Sequence, residues 1–257
     1  MYGGRTNRVW KVVGGDGDKV LKLYNSELRN PLFRNDAELE AQCLHALDST
    51  GFVPRLRAAG VFGPDRWVFY DHAPGTPWNR QAENVGKLLK NLHSLRVDID
   101  APQGCNGSED LADHGERILA GCQSKRVAQL RQLRPRKHVI PLTQRQLIHG
   151  DPVAGNILVS PTGLTLIDWQ CPALGDPCED LAMFLSPAMQ QLYRGQPLSA
   201  SETAEFLSGY DQSDVTARYE ALRPWYAWRM AAYCLWRAET GAVDYNAGYE
   251  LEIAALL

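Results

Sequence analysis

The chain has 257 residues, of which 44% are hydrophobic and 22% charged, with a net charge of −3 and a pI near 6.1. That length suffices for one large domain or two small lobes, each with its own core. The balance of charge gives no overall basic field for nucleic acid or an anionic membrane. The segment around Arg131, Arg134, Arg136, Lys137 and His138 is basic and reads as a solvated face. Cysteines stand at 43, 105, 122, 171, 178 and 234, without a CxxC pair or zinc-type His spacing, and read as reduced thiols. The first residues carry no apolar signal core, and no apolar run approaches the ~18 residues that span a bilayer. The expectation is a cytoplasmic protein with neither nucleic acid nor membrane as partner.

In chain order, Val9–Val13 and Lys19–Tyr24 are β-rich and flank the turn Gly14-Gly15-Asp16-Gly17-Asp18, which predicts a hairpin. Residues 36–48 change to helical spacing, with Leu39, Cys43, Leu44 and Leu47 on one face and Gly51 as a stop. Val53–Ala59 and Trp67–Tyr70 predict two more strands. His72-Ala73-Pro74-Gly75-Thr76-Pro77 is rich in Pro and Gly and reads as a link between lobes. Beyond it Val85, Leu88, Leu89, Leu92 and Leu95 form an apolar helical face, and 111–133 is expected to be helical. Ile157–Val159 and Leu164–Ile167 predict a short hairpin around Ser160-Pro161-Thr162-Gly163, followed by helix to the end. The fold class expected is α+β, in two lobes: a small β-rich N-lobe (1–71), a hinge (72–76) and a larger α-helical C-lobe (77–257).

The chemistry concentrates in His149-Gly150-Asp151-Pro152-Val153-Ala154-Gly155-Asn156 and Ile167-Asp168-Trp169. Phosphoryl transfer needs a carboxylate to orient the attacking hydroxyl and hard oxygen ligands for a cation on the phosphates. Asp151 suits the first task, Asn156 and Asp168 the second, and the tight hairpin between them would set those two side by side. Gly175-Asp176-Pro177-Cys178-Glu179-Asp180 reads as a helix start with Asp176 as N-cap, Pro177 at the first position and Glu179 closing a capping box. Asp180 reads as a structural brace, and His93 as a helix-end residue bonded to backbone.

These segments resemble the catalytic loop, the metal-binding Asp and the Gly-Asp-Pro-x-x-Asp-Leu-Ala segment of the aminoglycoside phosphotransferase and choline kinase superfamily. That superfamily shares the protein-kinase-like fold. Gly3-Gly4-Arg5-Thr6-Asn7 is similar to the Gly-Gly-x-Thr-Asn loop of bacterial choline-kinase-like proteins. The resemblance implies a kinase that uses ATP and Mg²⁺ on a small-molecule hydroxyl acceptor. It implies Asp151 as base, Asn156 and Asp168 as metal ligands, and Lys22 as the phosphate contact held by Glu40, with Glu38 the competing choice. It implies a phosphate cover from Gly3, Gly4, Thr6 and Asn7, and an adenine contact from the backbone of Asp71 to Ala73.

The short distance from Asp168 to Gly175 leaves no room for a long activation segment, which disfavours protein substrates. For the acceptor, Trp169 and Gln170 beside the metal Asp and the stripe Trp225, Trp228 and Trp236 are the candidates, the stripe by cation–π attraction. These features, and a likeness to bacterial thiamine and choline kinases, direct the first expectation to a choline-, ethanolamine- or thiamine-like acceptor. Gln170 stands where those kinases commonly carry Glu, and a neutral amide does not balance a quaternary ammonium. The alternatives are an aminoglycoside phosphotransferase, with Glu239, Asp244, Glu250 and Glu252 as its acids, and a nucleotide-binding pseudokinase module.

Overall fold

A computed structural model describes residues 6–25, 27 and 29–257. Strands β1 (Arg8–Val12) and β2 (Lys19–Leu23) form the expected hairpin, with Val9 opposite Lys22. Helix α1 (Ala37–Ala46) starts where Asp36 accepts from the Glu38 and Leu39 amides, and a 3₁₀ turn after it ends at Gly51 with φ 76°. Strands β3 (Leu56–Phe62) and β4 (Asp65–Asp71) follow, displaced from the expected 53–59 and 67–70. The displacement has a local cause: Pro54 lacks the N–H a ladder needs, and the turn at 63–64 lets Phe62 pair with Asp65. The sheet is antiparallel in the order β1-β2-β4-β3. Val20, Lys22, Val68 and Tyr70 are buried on one face, and α1 covers them with Leu39, Cys43, Leu44 and Leu47.

The chain then leaves the sheet and pairs β5 (Thr76–Pro77) with a strand of the second region, so this short segment is stitched to the far side. The remaining elements are α2 (Ala82–Ser94), α3 (Ser108–Leu119), α4 (Arg126–Gln132), β6 (Gln146–Ile148), β7 (Ile157–Ser160), β8 (Gly163–Leu166), β9 (Ala173–Gly175), α5 (Cys178–Leu185), α6 (Pro187–Arg194), α7 (Ala200–Tyr210), α8 (Ser213–Glu239) and α9 (Tyr245–Leu256). The protein is thus a mixed α+β structure with a small antiparallel sheet first and a larger helical region after it. The single helix expected over 111–133 is two helices broken around Gly121. The β6–β9 pair, only three residues deep, was hidden in what reads as loop and helix.

Helices α2 and α7 approach closely because Gly209 has no side chain: a Cβ there would lie 2.1 Å from the Glu83 carbonyl oxygen. Helix α8 supplies the centre of the helical core with Trp228, Ala231, Ala232 and Cys234, and α9 closes over it with Tyr245 and Tyr249. No helix among the described residues is long and apolar enough to cross a membrane.

The α6–α9 contact contains a buried carboxyl. Glu252 accepts from the Ala188 amide at 3.2 Å and from the Ser186 hydroxyl. Burial raises its pKa from 4.5 to about 7, against the opposing pull of those two hydrogen bonds. The folded state therefore holds this proton more tightly than the unfolded chain, and stability falls as pH rises from about 4.5 through about 7. Glu252→Gln, a neutral replacement, is expected to raise the melting temperature at pH 8 by ~5 °C or more and to leave it nearly unchanged at pH 4.5. Equal shifts at the two pH values, read by scanning fluorimetry, would remove the carboxyl as the cause.

Candidate active site

Lys22 lies in the middle of β2 with its side chain directed under the sheet, 3% exposed. Its ammonium is 2.6 Å from Glu40 of α1 and also donates to Asp168, which follows β8. Burial works against its charge, but the carboxylates of Asp168 and Glu40 outweigh that and raise its pKa. Burial raises the pKa of the Glu40 carboxyl as well, from 4.5 to about 7, with Lys22 opposing. Tyr24 donates its hydroxyl to the same Glu40 oxygen. Glu38, the competing choice, faces solvent and pairs with Arg66.

The loop that carries Asp151 is braced by one carboxylate. Asp180, at the start of α5, accepts from the backbone amides of His149 and Gly150, both at 2.8 Å, and from His93 Nε2 at 3.0 Å. His93 meets the Tyr210 hydroxyl with its other nitrogen, so it bonds side chains and not the backbone expected of it. His149 donates Nε2–H to the Ile167 carbonyl at 3.0 Å and accepts the Asp151 amide on Nδ1 at 3.2 Å, the pattern of a neutral imidazole. Gly150 is required by the turn: its φ is 83°, and a Cβ would fall 2.2 Å from the Cys171 carbonyl oxygen.

This arrangement places Asp151, Asn156 and Asp168 on the wall of one cleft of about 290 Å³, together with Lys22, Thr6 and Gln170. Asn156 spends its amide nitrogen on the Asp151 carbonyl at 2.9 Å and on Asp151 Oδ2 at 3.2 Å, which leaves its own side-chain oxygen as an acceptor. Asp151 Oδ1 is buried and meets no donor. Burial, reinforced by the nearby Asp168 charge, pushes the Asp151 carboxyl well above the usual carboxylate range. Asp168 is held at φ 66°, a left-handed conformation that costs a non-glycine residue strain and often marks functional positions. Among the described residues no cluster of three His, Cys, Asp or Glu could hold a metal. One amide oxygen and one carboxylate nevertheless fit Mg²⁺, which keeps several waters and takes the rest of its ligands from phosphates.

Other expected residues lie elsewhere or are committed. Gly3 and Gly4 fall outside the described residues. Asn7 is buried as a bolt between regions: it donates to Gln170 at 2.8 Å and to Asn35 at 2.7 Å, and accepts the Asn25 amide. Its side chain is committed to these bonds and Gln170 Oε1 accepts one of them, while both residues line the cleft and the expected cover is by backbone N–H groups. The Asp71 amide bonds the Arg55 carbonyl and its carboxylate pairs with Arg57 and Lys19, so its N–H cannot read a base. The Ala73 amide, by contrast, meets no acceptor among the described residues. Trp169 is fully buried, bonded to the Leu166 carbonyl and packed edge-on to His149. Trp225 and Trp228 are turned into the helical core, with their N–H groups on the Lys137 and Leu130 carbonyls. The expected cation-holding stripe is thus corrected at both positions, because an indole that buries its ring needs a backbone acceptor for its N–H. Trp236 lies outside the cleft, stacked on Tyr233. Glu179 forms no capping box but a bidentate pair with buried Arg229, at 2.9 and 3.0 Å.

Arg229 was not singled out from sequence. A lone Arg inside the apolar run Trp228-Arg229-Met230-Ala231 was the available signal, since a charge there must find a partner. The Asp180 brace yields a direct expectation. Asp180→Ala leaves two buried amides and His93 without an acceptor, and should cost at least ~3 kcal/mol in urea denaturation. A loss below ~1 kcal/mol would show that the loop is held by something else.

The comparisons agree with this geometry. A family model described as the phosphotransferase enzyme family matches residues 2–225. No curated protein matches the chain in sequence. Among solved structures, a choline kinase from Streptococcus pneumoniae superposes with a TM-score of 0.68 at 15% identity, covering 99% of this chain and 91% of that one. A choline/ethanolamine kinase family protein from Mesorhizobium loti gives 0.67 at 16% identity, with 99% and 85% covered. A spectinomycin phosphotransferase, solved with ADP and spectinomycin, gives 0.67 at 16% identity, with 99% and 92% covered. At these identities the superpositions show a common protein-kinase-like fold, and with the family match over most of its length the chain belongs to the phosphotransferase enzyme family.

Proposed function

We propose that the protein is a Mg-ATP-dependent kinase that transfers the γ-phosphoryl group to a hydroxyl of a small metabolite. One observation carries this reading: a buried carboxylate with an unpartnered oxygen, Asp151, lines the same cleft as a buried lysine and two oxygen donors for a hard cation. An ordinary structural Asp would have its oxygens satisfied.

Asn156 and Asp168 would hold Mg²⁺, which when bound supplies the positive charge that neutralises the phosphates. Lys22, kept protonated by its two carboxylates, contacts the phosphates, and Glu40 fixes its position from α1. Ala73 offers its free amide to the base. Asp151 Oδ1 accepts a hydrogen bond from the acceptor hydroxyl and orients its oxygen toward the γ-phosphorus. As the new O–P bond forms, the hydroxyl proton passes to Asp151, the bond from γ-phosphorus to the bridging oxygen breaks, and ADP leaves. The raised proton affinity of Asp151 suits that task.

Choline, ethanolamine or a thiamine-like cation was the first expectation for the acceptor. Its main structural support, the Trp225 and Trp228 stripe, is absent from the cleft. The aminoglycoside alternative fares no better on its acids: Glu239, Asp244, Glu250 and Glu252 line neither this cleft nor the pocket beside the catalytic loop. The pseudokinase alternative calls for a lost base or metal ligand, whereas Lys22, Asp151, Asn156 and Asp168 are all present and line one cleft.

Asp151→Ala is expected to lower kcat for acceptor-dependent ADP release at least ~100-fold while changing Mg-ATP affinity less than ~3-fold. Full turnover in that variant would sink the assignment. Lys22→Ala should instead weaken Mg-ATP binding by ~10-fold or more, since a charge-assisted contact to phosphate is lost. Unchanged affinity by calorimetry would contradict the role given to Lys22.

A further inference from the structure

A second cavity of about 480 Å³ adjoins the catalytic loop. Gly150 and Cys171 line it, and their chain neighbours Asp151 and Gln170 line the cleft. Its other walls come from the segment before α1, from α3, from α5 and from α8. The residue proposed as base is thus the chain neighbour of a residue on the cavity wall.

The charges on these walls are one-sided. Glu179 is the single carboxylate lining the cavity, and it is already paired on both oxygens with Arg229. Arg34 and Arg117 also line it, are exposed at its rim, and have no hydrogen-bond or ion-pair partner among the described residues. His114 on the same wall donates Nε2–H to the Pro31 carbonyl at 2.8 Å. Burial, with Arg229 beside it, lowers its pKa to about 4, so it adds no charge at neutral pH. Arg229 itself is 2% exposed, and its Nε is buried without an acceptor. Two unpaired arginines at the rim attract anions and repel ammonium groups.

We propose that this cavity seats the acceptor, and that the acceptor carries an anionic group, a carboxylate or a phosphate monoester, in addition to its hydroxyl. The anion is gripped by Arg34 and Arg117, and the hydroxyl is presented to Asp151. This rests on the kinase reading above and narrows it to a class of substrate opposite in charge to an amino alcohol.

The test is Mg-ATP turnover across size-matched acceptors: glycerate for the carboxylate, glycerol 3-phosphate for the phosphate monoester, glycerol as the neutral control, and choline and ethanolamine as cations. At least one anionic member should exceed glycerol, choline and ethanolamine in kcat/KM by ~10-fold or more. The double variant Arg34→Gln/Arg117→Gln should lose that advantage, about the effect of one charge-assisted hydrogen bond. Its Mg-ATP affinity serves as the check on folding. Preference for choline or ethanolamine, or an anionic preference untouched by the double variant, overturns the proposal while leaving the kinase reading intact. Absence of turnover with every compound counts against the kinase reading instead. In that event both proteins are titrated with inorganic phosphate in the presence of Mg²⁺ and a non-hydrolysable ATP analogue. Equal binding, or none, overturns the anionic pocket, whereas binding weakened ~10-fold in the double variant upholds it.

Discussion

One buried ammonium ties the two halves of this protein together. Lys22 comes from the sheet, Glu40 from the helix that covers it, and Asp168 from the far side of the cleft. A lysine at 3% exposure survives only because it has these partners, since an unpaired buried charge costs several kcal/mol. The register of β2 against β4 follows from the same constraint. With Val20 and Lys22 facing inward opposite Tyr70 and Val68, the apolar face and the charged site occupy one surface of the sheet. Moving the strand by one residue would send the lysine to solvent and the apolar residues with it. The neutral bolt of Asn7, Asn35 and Gln170 adds a second link at the edge of the same cleft.

The other half of the site depends on a carboxylate that does not line the cleft. Asp180 occupies the first turn of α5 and collects three donors, two of them from the loop that presents Asp151. Negative charge at a helix N-terminus is favoured by the helix dipole, so the brace and the helix support each other. Through His93 and Tyr210 the same brace reaches α2 and α7, whose close contact needs Gly209. The geometry of the loop is therefore set by helix packing at a distance from the cleft.

Much of this was legible in the sequence because it is local. The hairpin follows from alternation and a Gly-rich turn, and α1 from Leu39, Cys43, Leu44 and Leu47. The motif residues Asp151, Asn156 and Asp168 line one cleft because the β7–β8 hairpin, four residue pairs long, brings the two motif segments together. What was not legible depends on contacts between distant segments. The three-residue strands β6 and β9 have too little pattern to show alternation. Glu179 has the position of a capping-box residue, but a buried arginine 50 residues away claims it. The indole stripe on α8 has the right periodicity for a binding face, and periodicity alone does not say whether that face meets a ligand or another helix. The unpaired state of Arg34 and Arg117 is likewise a property of the assembled fold.

The central claim is that two regions of the chain assemble one Mg-nucleotide site around Lys22, Asn156 and Asp168. It is tested most directly by calorimetric titration of ATP with Mg²⁺ and with EDTA, on the wild-type protein and on Asp168→Asn. The account predicts that Mg²⁺ tightens ATP binding by ~10-fold or more and that Asp168→Asn removes this gain. ATP affinity that is the same with Mg²⁺ and with EDTA in the wild-type protein would contradict it.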